Sequence, residues 1–235
     1  MEKNYYMEKL QEAIRAASKG DWDTVEKIAC CDVRIGVDIL NCLGYTMPEK
    51  LKRSIALYHY IEHGDFYPTI RKHVRGALKA RPEDWRKDLP ESVRYMDSFT
   101  VYHAGAEPLD KVKNALSWTL SRDVAEWFAK RHEITHNLPQ HIYKATIAAN
   151  KVIAFLNERN EYEIIQYRNV KDIEEVPAQG FSEAYREYLR EGNHIIVDEG
   201  HSQKYQDYFD EMMKKELVAG KCFGIRKCKN RCLDI

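Results

Sequence analysis

Phe99-Thr100-Val101-Tyr102-His103-Ala104-Gly105, followed by Ser117-Trp118-Thr119-Leu120-Ser121 and Val124-Ala125-Glu126-Trp127-Phe128-Ala129, is where the chain changes texture. The first string is β-branched and aromatic, which suits a strand, and Ala104-Gly105-Ala106 ends it. The second is a short strand. Ser121 then caps a helix, since a serine hydroxyl can accept from a first-turn N–H. Downstream, residues 142–148 alternate apolar and polar over a strand length. Lys151-Val152-Ile153-Ala154-Phe155-Leu156 reads as a strand or strand–turn segment, and Glu163-Ile164-Ile165 as a short strand with charge at its mouth. A further strand is expected at Ile195-Ile196-Val197. A helix is expected over 205–217, with Tyr208, Met212 and Met213 on one side.

Upstream of Ser98 the period is helical. Tyr6, Leu10, Ala13, Ile14 and Ala17 recur at helix spacing, and Lys19-Gly20-Asp21 closes that segment. Asp21 can cap a second helix through Val25, Ile28 and Ala29. Met47-Pro48-Glu49 starts another, because proline suits the first turn. It carries Leu51, Ile55, Tyr58 and Ile61 and stops at His63-Gly64. A further helix spans 68–79, before Arg81-Pro82, and Trp85, Leu89 and Tyr95 form a candidate packing seam. The expectation is an α+β protein. A helical segment over 1–96 precedes an α+β domain over 97–235.

Lys+Arg and Asp+Glu are equal at 37 each, so the formal net charge is zero. That argues against a general electrostatic grip on nucleic acid or on an anionic membrane. The stretch 221–231 is the one local basic run. No apolar run approaches the roughly 18–20 residues that span a bilayer. Met1-Glu2-Lys3-Asn4-Tyr5-Tyr6 lacks the apolar core of a secretory signal, so a cytoplasmic location is expected. The six cysteines (Cys30, Cys31, Cys42, Cys222, Cys228, Cys232) form no Cys-x-x-Cys pair, and reduced, mostly buried thiols are expected.

Three segments carry chemistry in order: Val101-Tyr102-His103-Ala104-Gly105; Ser117-Trp118-Thr119-Leu120-Ser121 with Ala125-x-x-Phe128-Ala129; and Arg159-Asn160-Glu161-Tyr162-Glu163-Ile164-Ile165. Ser117 and Thr119 share one strand face, and Trp118 takes the other. Glu161 lies on the same side as Glu163 if the backbone between them is extended. The plain alternative is two solvated glutamates at a loop–strand junction. This order resembles the ADP-ribosyltransferase superfamily, which carries a strand-borne Arg or His, a Ser-x-Thr strand and a Glu-x-Glu loop. The resemblance covers about residues 99–167.

The resemblance implies a split β-sheet core, NAD as co-substrate and a protein side chain as acceptor, usually arginine, with release of nicotinamide. Glu163 would stabilise the positive charge that develops on the ribose as the nicotinamide bond breaks. Glu161 would orient or deprotonate the acceptor nitrogen. Ser117 would brace Glu163 and Thr119 would support the site. His103, Ala104, Gly105, Trp118 and Phe128 would contribute to the NAD pocket, Phe128 as a lining aromatic or simply as core. With water as acceptor the same residues would hydrolyse NAD.

His103 departs from the pattern. The arginine-directed branch of the superfamily has Arg there, and the branch with His pairs it with a Tyr at the second motif. An imidazole lacks the forked charge that grips a diphosphate, so Arg122 or Arg131 would have to supply it. Packing of His103 against Tyr102 or Trp118 as core is the alternative. A catalytically silent binding protein on the same fold is thus a second expectation. A third rests on His132-Glu133-Ile134-Thr135-His136, which matches the zinc-protease string His-Glu-x-x-His, with His141 or Glu161 as a further ligand. Lys130 and Arg131 precede it where buried zinc helices are usually apolar. The preferred assignment of the stretch is the connection between the Phe128 helix and the Ile142 strand.

Overall fold

The structure is a computed structural model, and it describes residues 2–64, 68–136, 138–157, 159–168 and 170–190. The expected strand 195–197, the helix 205–217, the basic run 221–231 and the three trailing cysteines lie outside the described residues. The fold is α+β: a helical N-terminal segment, then a six-stranded antiparallel sheet. No helix among the described residues is long and apolar enough to cross a membrane. The chain divides into two compact units. One holds residues 1–95 with 151–154, the other 96–150 with the chain from 155 onward.

The first unit contains α1 (Glu2–Ser18), α2 (Trp22–Cys31), α3 (Val33–Leu43), α4 (Glu49–His63) and α5 (Pro68–Gly76), then a 3₁₀ turn, Ala77–Ala80. Asp21 caps α2 by accepting from the Thr24 N–H at 3.1 Å. Asp32 does the same for α3, accepting from Arg34 and Ile35. That second cap is the signal for α3, which the periodicity reading passes over between Ala29 and Met47. The predicted helix over 68–79 ends earlier, at Gly76, and tightens into the 3₁₀ turn. Of the expected seam, Leu89 is buried and Tyr95 is 82 % exposed, so Tyr95 is no part of a core. Arg53 Nη1 and Arg81 Nη1 donate to the carbonyls of Ile153 and Val152, which ties the segment 151–154 to this unit.

Three helices of this unit meet at one close approach. His59 of α4 is fully buried, and its Nε2–H donates to the Ala29 carbonyl at 2.8 Å. That carbonyl is in the last turn of α2, where helix carbonyls lack intrahelical donors. Gly36 of α3 lies against the same pair: a Cβ there would overlap the His59 imidazole and stand 2.7 Å from the Ala29 carbonyl. Burial pushes the His59 imidazole below its ordinary range.

The sheet consists of β1 (Ser98–Gly105), β2 (Ser117–Thr119), β3 (His141–Ala148), β4 (Val152–Leu156), β5 (Glu163–Gln166) and β6 (Lys171–Val176), in the order β4-β5-β2-β1-β3-β6. A short helix, α6 (Leu109–Val112), and the long α7 (Arg122–His136) flank β2. α8 (Glu183–Arg190) follows β6. β1 and β3 pair along their full length, from Ser98↔Ala148 to Gly105↔His141. β6 was not expected. Its only apolar residues, Ile173 and Val176, are three apart, and the rest is charge, as suits an edge that must not recruit another strand. It is held by Lys144–Glu174 and His141–Glu175 pairs at 2.9 and 2.7 Å.

α7 starts as expected, with the Ser121 hydroxyl accepting from the Val124 N–H at 3.4 Å. It continues through His136, so His132-Glu133-x-x-His136 is helical and not the connection to the Ile142 strand. The stretch has no proline or glycine to stop it before Pro139.

Gly36→Ala is expected to lower stability by roughly 2 kcal/mol or more, because the methyl must push α3 away from α2 and α4. A thermal melt of the variant measures this. A variant that melts with the wild type would show that the three helices are not held at contact distance.

Candidate active site

Strand register assembles the site. Tyr102 of β1 is opposite Thr119 of β2, and Thr119 is opposite Glu163 of β5. Directly opposed residues of an antiparallel pair share a face, so Tyr102, Ala104, Ser117, Thr119 and Glu163 lie on one side of the sheet. α7 covers the same side. Its Ala125 and Ala129 pack with Ala104 and Ile142, and Tyr102, Phe128 and Val176 border that cluster. Ala104 is therefore a core methyl under α7. Phe128 is half-buried at the edge of the cluster, 5.1 Å ring to ring from Trp127 and 5.7 Å from His132.

Both glutamates are buried, Glu161 at 6 % exposure and Glu163 at 4 %, so they are not a solvated pair. The Ser117 hydroxyl donates to Glu163 Oε1 at 2.5 Å. The Thr119 hydroxyl donates to the Glu161 carbonyl at 2.7 Å and accepts from the Ser121 N–H at 3.0 Å. Leu120 N–H donates to the Tyr162 carbonyl at 3.0 Å. The Ser-x-Thr strand thus grips the Glu-x-Glu segment through side chains at both ends.

The path between the two glutamates is not extended. Tyr162 has φ 49° and Asn160 φ 58°, both left-handed. Asparagine tolerates that region, whereas a tyrosine there stores strain. The turn is pinned by Asn157, whose Oδ1 accepts from the Tyr162 N–H at 3.0 Å. The carboxylates are brought together by a guanidinium instead of by a pleat: Arg159 Nη2 is 2.9 Å from Glu161 Oε2 and 3.8 Å from Glu163 Oε2. Arg159 was not singled out from the sequence. Its spacing, two and four residues before the glutamates, was the available signal.

Burial pushes the Glu161 carboxyl up from its ordinary 4.5 to about 7. Arg159 opposes the rise, the Glu163 charge adds to it, and Arg131 of α7 opposes it weakly. Arg131, whose guanidinium lies 5.4 Å from the Trp127 ring centre and 5.9 Å from that of Phe128, is thus an α7 cation that Glu161 feels. Arg122 is committed elsewhere. Its Nε is 3.2 Å from Glu126 Oε1 and its Nη2 donates to the Pro177 carbonyl.

His103 and Trp118 occupy the other side of the sheet from Glu163. Their rings are 5.2 Å apart, and Trp118 is fully buried. His103 Nδ1–H donates to the Ser117 carbonyl at 2.9 Å. β1 and β2 pair at Tyr102↔Thr119, and this side-chain bond extends the join beyond it. A Cβ on Gly105 would stand 3.0 Å from His103 Nε2 and meet the end of the flexible Glu107 side chain, which would have to shift. The structure thus groups Ser117, Thr119, Glu161, Glu163 and Arg159, with Phe128 and Arg131 on the same side. It sets His103 and Trp118 behind them.

Among the described residues no group of three or more His, Cys, Asp or Glu side chains is arranged to hold a metal ion. The His136 side chain lies outside the described residues. Comparison of the chain with protein-family models, with curated proteins and with solved structures finds no match.

The raised carboxyl of Glu161 makes a signed prediction. The folded state binds a proton that the unfolded state has released between pH 4.5 and about 7. Its contribution to stability is complete below pH 4.5 and is lost as pH rises through about 7. The wild-type melt, relative to Glu161→Gln, should therefore fall from pH 4.5 to about 7 and level off above that. Parallel pH profiles for the two proteins would rule out a protonated Glu161.

Proposed function

We propose that the protein transfers ADP-ribose from NAD to a protein side chain, arginine, releasing nicotinamide, on an ADP-ribosyltransferase-like split-sheet core. One observation carries the reading: a buried Glu163 braced by the Ser117 hydroxyl at 2.5 Å, beside a second buried carboxylate, Glu161. Those residues are the ones that the superfamily's Ser-x-Thr and Glu-x-Glu pattern pairs. In this reading nicotinamide leaves with the bonding electrons, and Glu163 faces the positive charge that develops on the ribose. A fixed carboxylate in a water-poor site stabilises such a charge without reorganising. Ser117 holds the Glu163 carboxylate in place. Glu161 takes the proton from the attacking nitrogen, and its raised affinity for protons suits that task. Arg131 supplies positive charge toward the diphosphate. With water as acceptor the same groups act as an NAD glycohydrolase.

A binding protein without turnover is the second reading. Its support is His103, which replaces the arginine of the commoner pattern. The ring is packed against Trp118, and its Nδ1–H is used on the Ser117 carbonyl.

Labelled NAD with arginine-rich acceptor protein tests both readings. Glu163→Gln is expected to lower transfer and hydrolysis together by at least about a hundredfold, about 3 kcal/mol of transition-state stabilisation, with NAD binding little changed. Near-normal turnover in that variant would remove Glu163 from the chemistry. Glu161→Gln is expected to lose transfer and retain hydrolysis. Equal loss of both would place Glu161 with the NAD site or the fold, and binding without turnover in the wild type would favour the silent form.

A further inference from the structure

The acceptor end of this site already contains a guanidinium. Arg159 Nη2 stands 2.9 Å from Glu161 Oε2 and 3.8 Å from Glu163 Oε2. The carboxylate side chains are 9 % and 6 % exposed, whereas that of Arg159 is 37 % exposed. The charged end of Arg159 thus reaches from a partly open position toward groups that are nearly shut off from water. Its backbone is fixed separately, in a turn where Asn160 N–H donates to the Asn157 carbonyl at 3.0 Å. The side chain can therefore leave without the turn opening. Two buried carboxylates need a cation, and removing it outright leaves uncompensated charge. Exchange for another guanidinium does not: one fork of N–H donors leaves as an equivalent fork arrives.

We propose that Arg159 fills the acceptor position from within, as an internal guanidinium that an incoming arginine side chain must displace. The proposal deepens the transferase reading and rests on it for the word acceptor. The guanidinium chemistry stands on Arg159, Glu161 and Glu163 alone. It sets the acceptor class, an alkylguanidinium over an amine, because the cation already seated beside Glu161 and Glu163 is itself a guanidinium. It also makes the resident side chain a competitor, so the apparent affinity for an acceptor is reduced to the fraction of time that Arg159 is out.

The test uses ethylguanidinium as the probe, with ethylammonium and sodium chloride as matched controls. Full-length wild type, Arg159→Ala, Arg159→Gln and the double variant Arg159→Ala with Glu161→Gln are titrated by calorimetry and melted with and without the probe. Ethylguanidinium is expected to bind the two single variants at least about tenfold more tightly than the wild type. It should raise their melting temperatures while leaving the double variant unchanged, and ethylammonium should do less. Equal responses in wild type and single variants, or the same response in the double variant, would overturn the proposal. Arg159→Gln keeps the first part of the aliphatic stem and a polar end without the charge, and decides the matter if Arg159→Ala does not fold. Addition of NAD separates the two claims. Arg159→Ala should raise transfer to arginine methyl ester relative to hydrolysis. No turnover in any of the proteins would remove the transferase reading while the binding data still decide the occupancy of the site.

Discussion

Two carboxylates taken out of water within three residues of each other set the terms for the sheet domain. Each costs several kcal/mol to bury unless hydrogen bonds or opposite charge compensate. The compensation comes from separate places in the chain. Ser117 supplies a hydroxyl to Glu163, and Arg159 supplies charge to both. Thr119 holds the backbone of Glu161. All three contributors sit on β2 or in the turn before β5, so the pairing of β2 with β5 is the element on which the site depends. The left-handed Tyr162 is a local cost of that arrangement, and the grip of Leu120 and Asn157 on its backbone keeps the chain there.

A third buried carboxylate shows what a purely structural one looks like. Glu126 of α7 is 1 % exposed, and its Oε1 accepts from the Gln179 N–H at 2.9 Å and lies 3.2 Å from Arg122. Asp123, one turn earlier, accepts from the N–H and hydroxyl of Ser182, which in turn caps α8. These contacts fasten residues 177–182 to the first half of α7, away from Glu163. α7 accordingly has two jobs. Its alanines and Phe128 cover the sheet, and Arg122, Asp123 and Glu126 hold the chain that returns from the edge strand.

The helical unit rests on a different device. Its packing brings α2, α3 and α4 to contact at Gly36, and a buried neutral imidazole meets a carbonyl that the end of α2 leaves without a donor. Desolvation favours the neutral His59, and Gly36 leaves room for it. Substitution at either position therefore acts on all three helices.

Sequence alone determined the elements whose signals are local. Caps at Asp21 and Ser121, the proline before α4, the alternation over β3 and the apolar spacing along α1 all act within a turn or a strand, and each element stands where they point. The order of Ser117, Thr119, Glu161 and Glu163 was legible for the same reason, as was the sharing of a face by Ser117 and Thr119. Tertiary structure decided the rest. The charged β6 is a strand because β3 offers it an edge. His103 lies behind the sheet from Glu163 because register with Trp118 sends it there. The carboxylates meet through Arg159 and a left-handed Tyr162, not through an extended pleat, because burying them required a cation, and the turn folds the neighbouring Arg159 back to 2.9 Å from Glu161. Spacing in a sequence specifies which side chains can share a face. It does not specify which ones must neutralise each other once water has been excluded.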